Sequence, residues 1–230
     1  MSNPEISDPS QASTPSSPSL AHGVAKRISD RLRAVIRGRD DVIELVVIAL
    51  LADGHVLLED YPGSGKTTLA RALGGSIVGS ERPDIAPFRR IQFTPDLIPS
   101  DITGTNIFDM ERNAFLFRRG PIFAHIVLAD EINRTSPKVQ AAMLEAMAEK
   151  QVTIDNETHA LDDLFFVIAT QNPLDLAGTY PLPAPQLDRF LFKIAMHHIE
   201  REAELEVLDQ YPRPSLDLAA SHGEVTYQEV

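Results

Sequence analysis

Cysteine and tryptophan are both missing from this chain, and aromatic residues of any kind make up only 6% of its 230 positions. Without cysteine there is no disulfide framework, no thiolate metal site and no catalytic thiol, and the composition suits a reducing compartment. Long apolar runs are missing too. The longest, Val42 to Ala52, is interrupted by Glu44 and falls well short of the roughly 20 residues a bilayer-spanning helix needs. The N-terminus has no positively charged stretch followed by an apolar one, which argues against a secretory signal and for a soluble, cytoplasmic protein. Positive charge is scarce. With 33 acidic against 21 basic residues the formal charge is −12, which disfavours a protein whose main task is coating nucleic acid.

What is present is ordinary globular material, 43% hydrophobic and 23% charged, enough for one domain with a sizeable core. The exception is the start. Residues 1–20 hold seven serines and four prolines with no lysine or arginine, a composition that cannot offset its ordering entropy, so residues 1–22 are expected to form a disordered tail. A helix is expected over Ser29–Ile36, and Asp41-Val42-Ile43-Glu44 looks like a capping signature opening a buried helix. His55–Glu59 then reads as a short apolar strand, followed by a glycine-rich turn and a helix over Lys66–Leu73.

Four further short apolar runs follow, Arg90–Phe93, Ile126–Ala129, Phe165–Ala169 and Phe190–Ala195. Strands buried on both faces read as continuous apolar runs, so their alternation with helices predicts an α/β fold with a parallel sheet covered by helices. Between the Ile126 and Phe165 runs Ser136 can cap a helix whose Val139, Ala142, Met143, Ala146 and Met147 recur at helical spacing. A hairpin is expected from Val152–Ile154 and Thr158–Leu161 around Asp155-Asn156-Glu157. Past Glu200 an acidic run suggests a solvated helix face, and residues 213–230 are expected to be a frayed linker.

The residues that carry chemistry begin with Pro62-Gly63-Ser64-Gly65-Lys66-Thr67-Thr68, set between a strand and a helix. A phosphate chain needs converging backbone N–H donors; glycines let the backbone come close, and a helix N-terminus points its positive dipole end at the anion. Lys66 suits the β and γ phosphates and the Thr67 hydroxyl suits Mg²⁺. The first glycine of the general phosphate-loop pattern is replaced by Asp60.

Ile126-Val127-Leu128-Ala129-Asp130-Glu131 is a buried strand ending in two carboxylates, a costly arrangement unless a cation or a proton transfer uses them. Beside a phosphate loop, Asp130 is the candidate Mg²⁺ holder and Glu131 the residue that activates the attacking water. The strand Phe165–Ala169 leads into Asn172, an amide able to contact a γ-phosphate and a water; an Asn-Pro turn is the alternative. In Gln186-Leu187-Asp188-Arg189-Phe190, Arg189 is the residue type that neutralises transition-state charge on a phosphoryl group, or else a surface arginine.

Together these segments resemble the AAA+ ATPases and, more narrowly, the MoxR family. The resemblance runs through Pro62–Thr68, Ile91-Gln92-Phe93-Thr94-Pro95-Asp96-Leu97-Ile98-Pro99-Ser100-Asp101, Ala129-Asp130-Glu131-Ile132-Asn133-Arg134, Ala169-Thr170-Gln171-Asn172-Pro173, Gly178-Thr179-Tyr180-Pro181-Leu182-Pro183 and Gln186–Phe190. It implies a P-loop NTPase core over residues 23–212, with a five-stranded parallel sheet, helices on both faces and β-hairpin inserts. ATP and Mg²⁺ become the expected cofactors, Asn172 a sensor, and Arg189 an arginine finger acting on a neighbouring subunit's nucleotide in a homo-oligomeric, commonly hexameric, ring.

Thr103–Arg119 resembles an insert, and Val152–Leu161 a hairpin, that in this family are thought to contact clients or neighbours. The implied activity is ATP-driven remodelling or maturation of protein complexes, with von Willebrand factor A domain proteins among the partners. Family members carry a C-terminal helical lid that this sequence does not show, so weak turnover by the chain alone is expected. The alternatives are an ATP-binding scaffold with little turnover and a magnesium-chelatase-type motor subunit; a P-loop kinase fits less well.

Overall fold

The short apolar runs become strands of a sheet that helices cover on both faces. The computed structural model describes residues 18–59, 63–78, 82, 84–173, 178–210 and 225–230. Its elements in chain order begin with α1 (Pro18–Val35), α2 (Asp40–Leu51), β1 (Val56–Glu59), α3 (Lys66–Gly74), β2 (Ile77–Val78), β3 (Ala86–Gln92) and α4 (Pro99–Thr103). They continue with β4 (Gly104–Asp109), β5 (Ala114–Arg119), β6 (Ala124–Asp130), α5 (Pro137–Glu149), β7 (Gln151–Ile154), β8 (Glu157–Ala160) and β9 (Phe166–Gln171). The last are α6 (Ala184–Leu187), β10 (Phe192–Ala195), α7 (Arg201–Gln210) and β11 (Val225–Thr226).

Five of these strands form one parallel sheet in the order β10-β1-β9-β6-β3. Alternate residues feed opposite faces, as the pleat requires. Val56 and Leu58, Ile126 and Leu128, and Phe166 and Ile168 pack with α1, α2 and α3. Leu57, Val127, Ala129, Val167 and Ala169 face the other way and pack with Val139, Met143 and Ala146 of α5. The expected α/β class, five parallel strands with helices on both faces, is what the chain adopts. Both hairpins are present as well, β4 with β5 and β7 with β8. The latter turns on Asp155 and Asn156 alone, both at positive φ (51° and 65°), the pair of left-handed residues a two-residue turn demands.

Several boundaries differ from the sequence expectations. Helix α1 starts at Pro18, so the last five residues of the expected 1–22 tail are helical; residues 1–17 lie outside the described part. The helix holds because Val24, Ile28 and Leu32, one turn apart, are fully buried. In α2 the N-cap is Arg39, not Asp41, and Asp40 and Asp41 occupy the first turn, where the helix dipole favours them. Ser136 precedes α5 in extended geometry but makes no side-chain capping bond. Strand β3 is longer than Arg90–Phe93 implied, because it is an edge strand with mixed burial and can carry Pro87 at an edge position.

The expected frayed end is also corrected in part. Residues 213–224 lie outside the described part, but β11 pairs with β2 in parallel, Val225 is fully buried, the Tyr227 hydroxyl donates to Asp162 and Arg27 pairs with Glu229. Parallel strands share one carboxyl edge, and here it gathers polar tips: Glu59, Gln92, Asp130 and Gln171. In such sheets ligands bind at that edge.

Candidate active site

After β1 the chain passes through Asp60, Tyr61 and Pro62, outside the described residues, so the expectation for Pro62 lies outside them too. The turn is described from Gly63. Gly63 and Gly65 have φ of +91° and +92°, and Gly65 is the N-cap of α3. A Cβ built on either would meet nothing within 4 Å. Glycine is therefore required by the backbone conformation, and the space a side chain would fill is an open cradle at a helix N-terminus. Lys66, the first residue of α3, directs its Nζ to Asp130 Oδ1 at 3.4 Å.

The turn forms one wall of a cavity of about 450 Å³, with Gly63 through Thr68 on one side and Arg90, Gln92, Asp130 and Glu131 on the other. Asp130, at the tip of β6, has a side chain only 3% exposed. Its Oδ1 accepts a hydrogen bond from the Thr170 hydroxyl at 2.8 Å, and its Oδ2 accepts two from Arg90, from Nε at 3.1 Å and Nη2 at 2.6 Å. Burial pushes the carboxyl pKa up. The Thr170 and Arg90 hydrogen bonds and the Lys66 and Arg90 charges outweigh it and hold the group below the ordinary carboxylate range.

Glu131 follows in a left-handed conformation, φ 59° and ψ 49°, which is uncommon for a residue with a Cβ. Its N–H donates to Thr170 Oγ1 at 2.9 Å. Its carboxylate accepts from Gln92 Nε2 at 3.0 Å and pairs with Arg134 Nε at 3.1 Å. Thr170, Arg90, Gln92 and Arg134 were not singled out from the sequence as site residues. The one usable signal was polarity at the end of an apolar run, as in Ile168-Ala169-Thr170.

Asn172 lies one residue beyond β9 at the same sheet edge, half-buried, but it does not line this cavity. Arg189 is elsewhere. It lies three residues before β10, whose Phe192 pairs with Val56 at the start of β1, so about 13 Å of strand separates it from the turn that follows β1. It is exposed and forms no ion pair among the described residues.

A second cavity of about 240 Å³ adjoins the first and shares Gly63 and Ser64. Arg39, Met196 to Ile199 and the α7 residues Glu204, Val207 and Leu208 complete it. Arg39 Nη1 donates to the His197 carbonyl, tying the loop before α2 to the chain after β10.

Residues 55–192 match the model of the ATPase family associated with various cellular activities (AAA). The uncharacterized protein YeaC of Bacillus subtilis is 54% identical over 187 residues, 81% of this chain and 56% of that protein. Chaperone MoxR1 of Mycobacterium tuberculosis is 44% identical over 201 residues, 83% of this chain and 50% of its own length. Protein MoxR of Methylorubrum extorquens is 33% identical over 177 residues, 75% of this chain and 49% of its own. The chain belongs to the MoxR family of AAA+ ATPases.

A crystal structure of a putative ATPase from Cytophaga hutchinsonii superimposes with a TM-score of 0.77 at 38% identity, covering 92% of this chain and 62% of that one. The chain thus spans about half the length of the curated MoxR relatives it matches. No helix among the described residues is long and apolar enough to cross a membrane.

The residues present fit the family's nucleotide and metal. The open glycine cradle and Lys66 match a phosphate chain. Thr67 and Asp130, on facing walls of the first cavity, are oxygen donors of the kind magnesium accepts alongside substrate phosphates.

Proposed function

We propose that this chain binds ATP with Mg²⁺ at the carboxyl edge of its sheet, hydrolyses it, and uses the cycle to remodel or mature protein complexes. The observation that carries the reading is a single cavity onto which the Gly63–Thr68 turn, Asp130 and Glu131 all open. The backbone N–H groups of the turn and Lys66 would cradle the phosphates, and the adjoining cavity past Ser64 would take the nucleoside. Thr67 and Asp130 would hold Mg²⁺, whose part is to offset the charge on the phosphate oxygens. Glu131 would orient the attacking water and accept its proton, and Asn172 would sense the terminal phosphate.

Arg189 stands at the opposite edge of the sheet and does not line the cavity of its own copy. That position supports its action on the nucleotide of the next protomer in a homo-oligomeric ring. The relative named a chaperone supports protein complexes as clients in the cytoplasm, with von Willebrand factor A domain proteins the class expected by family likeness. A scaffold reading, with nucleotide bound and little turnover, draws on one observation: in the single chain Glu131 is tied to Gln92 and Arg134.

The test measures binding of a fluorescent ATP analogue alongside phosphate release. Glu131→Gln should keep the affinity while turnover falls at least about tenfold, and Lys66→Ala should remove the affinity. Unchanged turnover in Glu131→Gln removes that residue from its role. Tight binding with background phosphate release at every protein concentration favours the scaffold.

A further inference from the structure

Arg90 lines the first cavity on the wall facing the glycine turn. It sits on the edge strand β3 with its side chain 47% exposed, yet it reaches a carboxylate that is 3% exposed. Two of its nitrogens, Nε at 3.1 Å and Nη2 at 2.6 Å, donate to the same oxygen, Oδ2 of Asp130. The other oxygen, Oδ1, is taken by the buried Thr170 hydroxyl and by Lys66. Both oxygens of the candidate metal-holding residue are thus engaged by groups of the chain itself. Of those groups, Thr170 is fixed within a central strand, whereas Arg90 lies half in solvent beside the cavity and has room to leave.

The same Nη2 also donates to Gln92 Oε1 at 2.7 Å, and the Gln92 amide nitrogen donates to Glu131 Oε2 at 3.0 Å. Arg90 therefore links the two carboxylates of the site through one glutamine, using both ends of its amide.

We propose that Arg90 is a positioning residue that guards Asp130. It competes with the divalent cation for Oδ2, and when it gives up that oxygen it also gives up Gln92, loosening the hold on Glu131. Metal loading then loosens one of two contacts on Glu131, the other being Arg134. This assignment rests on the nucleotide reading of the same cavity. A residue that merely propped Asp130 in place would act in the opposite sense, because its loss would weaken metal binding instead of strengthening it.

The experiment titrates a fluorescent ADP analogue into the full chain at a series of free Mg²⁺ concentrations, so that hydrolysis plays no part in the readout. Arg90→Gln should lower the Mg²⁺ concentration for half-maximal nucleotide affinity by about threefold to tenfold, the range set by one partly exposed, charge-assisted contact. Arg90→Lys keeps the charge but not the paired contacts, so its midpoint should fall between the two; it carries the same test should the glutamine variant fold poorly. An unchanged or raised midpoint in these variants, with wild-type binding intact, overturns the assignment of Arg90 alone. Failure of the wild-type chain to bind the analogue at any Mg²⁺ concentration overturns the nucleotide reading and this inference with it.

Discussion

Thr170→Val deletes one hydroxyl from a side chain that is 1% exposed and keeps its branched shape. That hydroxyl donates to Asp130 Oδ1 at 2.8 Å and accepts the Glu131 N–H at 2.9 Å. In the valine variant Asp130 Oδ1 keeps only Lys66, at 3.4 Å. The Glu131 N–H loses the acceptor that helps hold this residue at φ 59°. A buried polar group left without its partner costs about 1–3 kcal/mol, so losing both contacts should cost about 3 kcal/mol. For a domain of this size that is a fall in Tm of about 6–12 °C. Thr170→Ser keeps the hydroxyl and loses a methyl, which should cost only about 1 kcal/mol.

The pH dependence gives a second check. Asp130's carboxyl is raised by burial but brought below the ordinary range by its contacts, Thr170 first among them. A depressed carboxylate contributes stability above its unfolded pKa and loses it as pH falls through the folded value. The gap between wild type and Thr170→Val should therefore narrow as pH drops below the ordinary carboxylate range. Thermal unfolding followed by circular dichroism measures both effects, and phosphate release should fall at least about tenfold in the valine variant, because both carboxylates lose their alignment. If the valine and serine variants melt together, the hydroxyl does not hold the pair and the reasoning fails.

Two further perturbations bear on the fold and the cradle. His55 is buried, with its Nδ1 accepting the Val167 N–H and its Nε2 meeting the Met147 carbonyl, both at 3.2 Å, and burial, above all, pushes its pKa below the usual value of 6.5. The unfolded chain then takes up a proton that the folded one refuses, so stability should fall as pH drops below about 6.5 by at most about 1.4 kcal/mol per pH unit, ending at the folded pKa. Urea titrations from neutral to mildly acidic pH should show this fall in the wild type and a shallower one in His55→Asn; equal slopes would count against it. Gly65→Ala should cost at least about tenfold in nucleotide affinity by calorimetry, because its φ of +92° strains a residue with a Cβ. Its melting temperature should move by only a few degrees, since the added carbon meets nothing within 4 Å, and undiminished affinity would show that the turn does not hold the phosphates.

How much of the fold could be read from the chain depended on burial. The strands β6 and β9, covered on both faces, stood out as unbroken apolar runs and were placed within a residue or two of their bounds. The edge strand β3 was caught only at its end, because one exposed side lets Pro87, Arg89 and Arg90 into it and erases the signal. Helix α1 was foreseen only in its second half. Serine and proline dominate the sequence before Ala21, yet Val24 anchors the preceding turn, and three buried residues outweigh a poor local composition. The docked segment Val225–Val230 had no local signal, because its order comes from partners far away in the chain: β2, Asp162 and Arg27.

For the site, the same division falls between what a single strand tip reveals and what neighbouring tips do to each other. The glycine turn and the Asp130-Glu131 pair are local patterns whose chemistry follows from their own residues. Beside Lys66 and Arg134, four of the pairings that tune them come from 39 or 40 residues away in sequence: Arg90 and Thr170 on Asp130, Gln92 and Thr170 on Glu131. They meet only because β3, β6 and β9 are adjacent and in a register that sets Gln92 beside Asp130 and Ala169 beside Ala129. A buried carboxylate at one tip makes the adjoining tips the places where a hydroxyl, an amide or a guanidinium gains most by facing it. Strand order, which a single sequence does not display, therefore determines which polar residues act on the two carboxylates. Strand direction, in turn, sets Arg189, just ahead of β10, at the edge of the sheet away from this cavity.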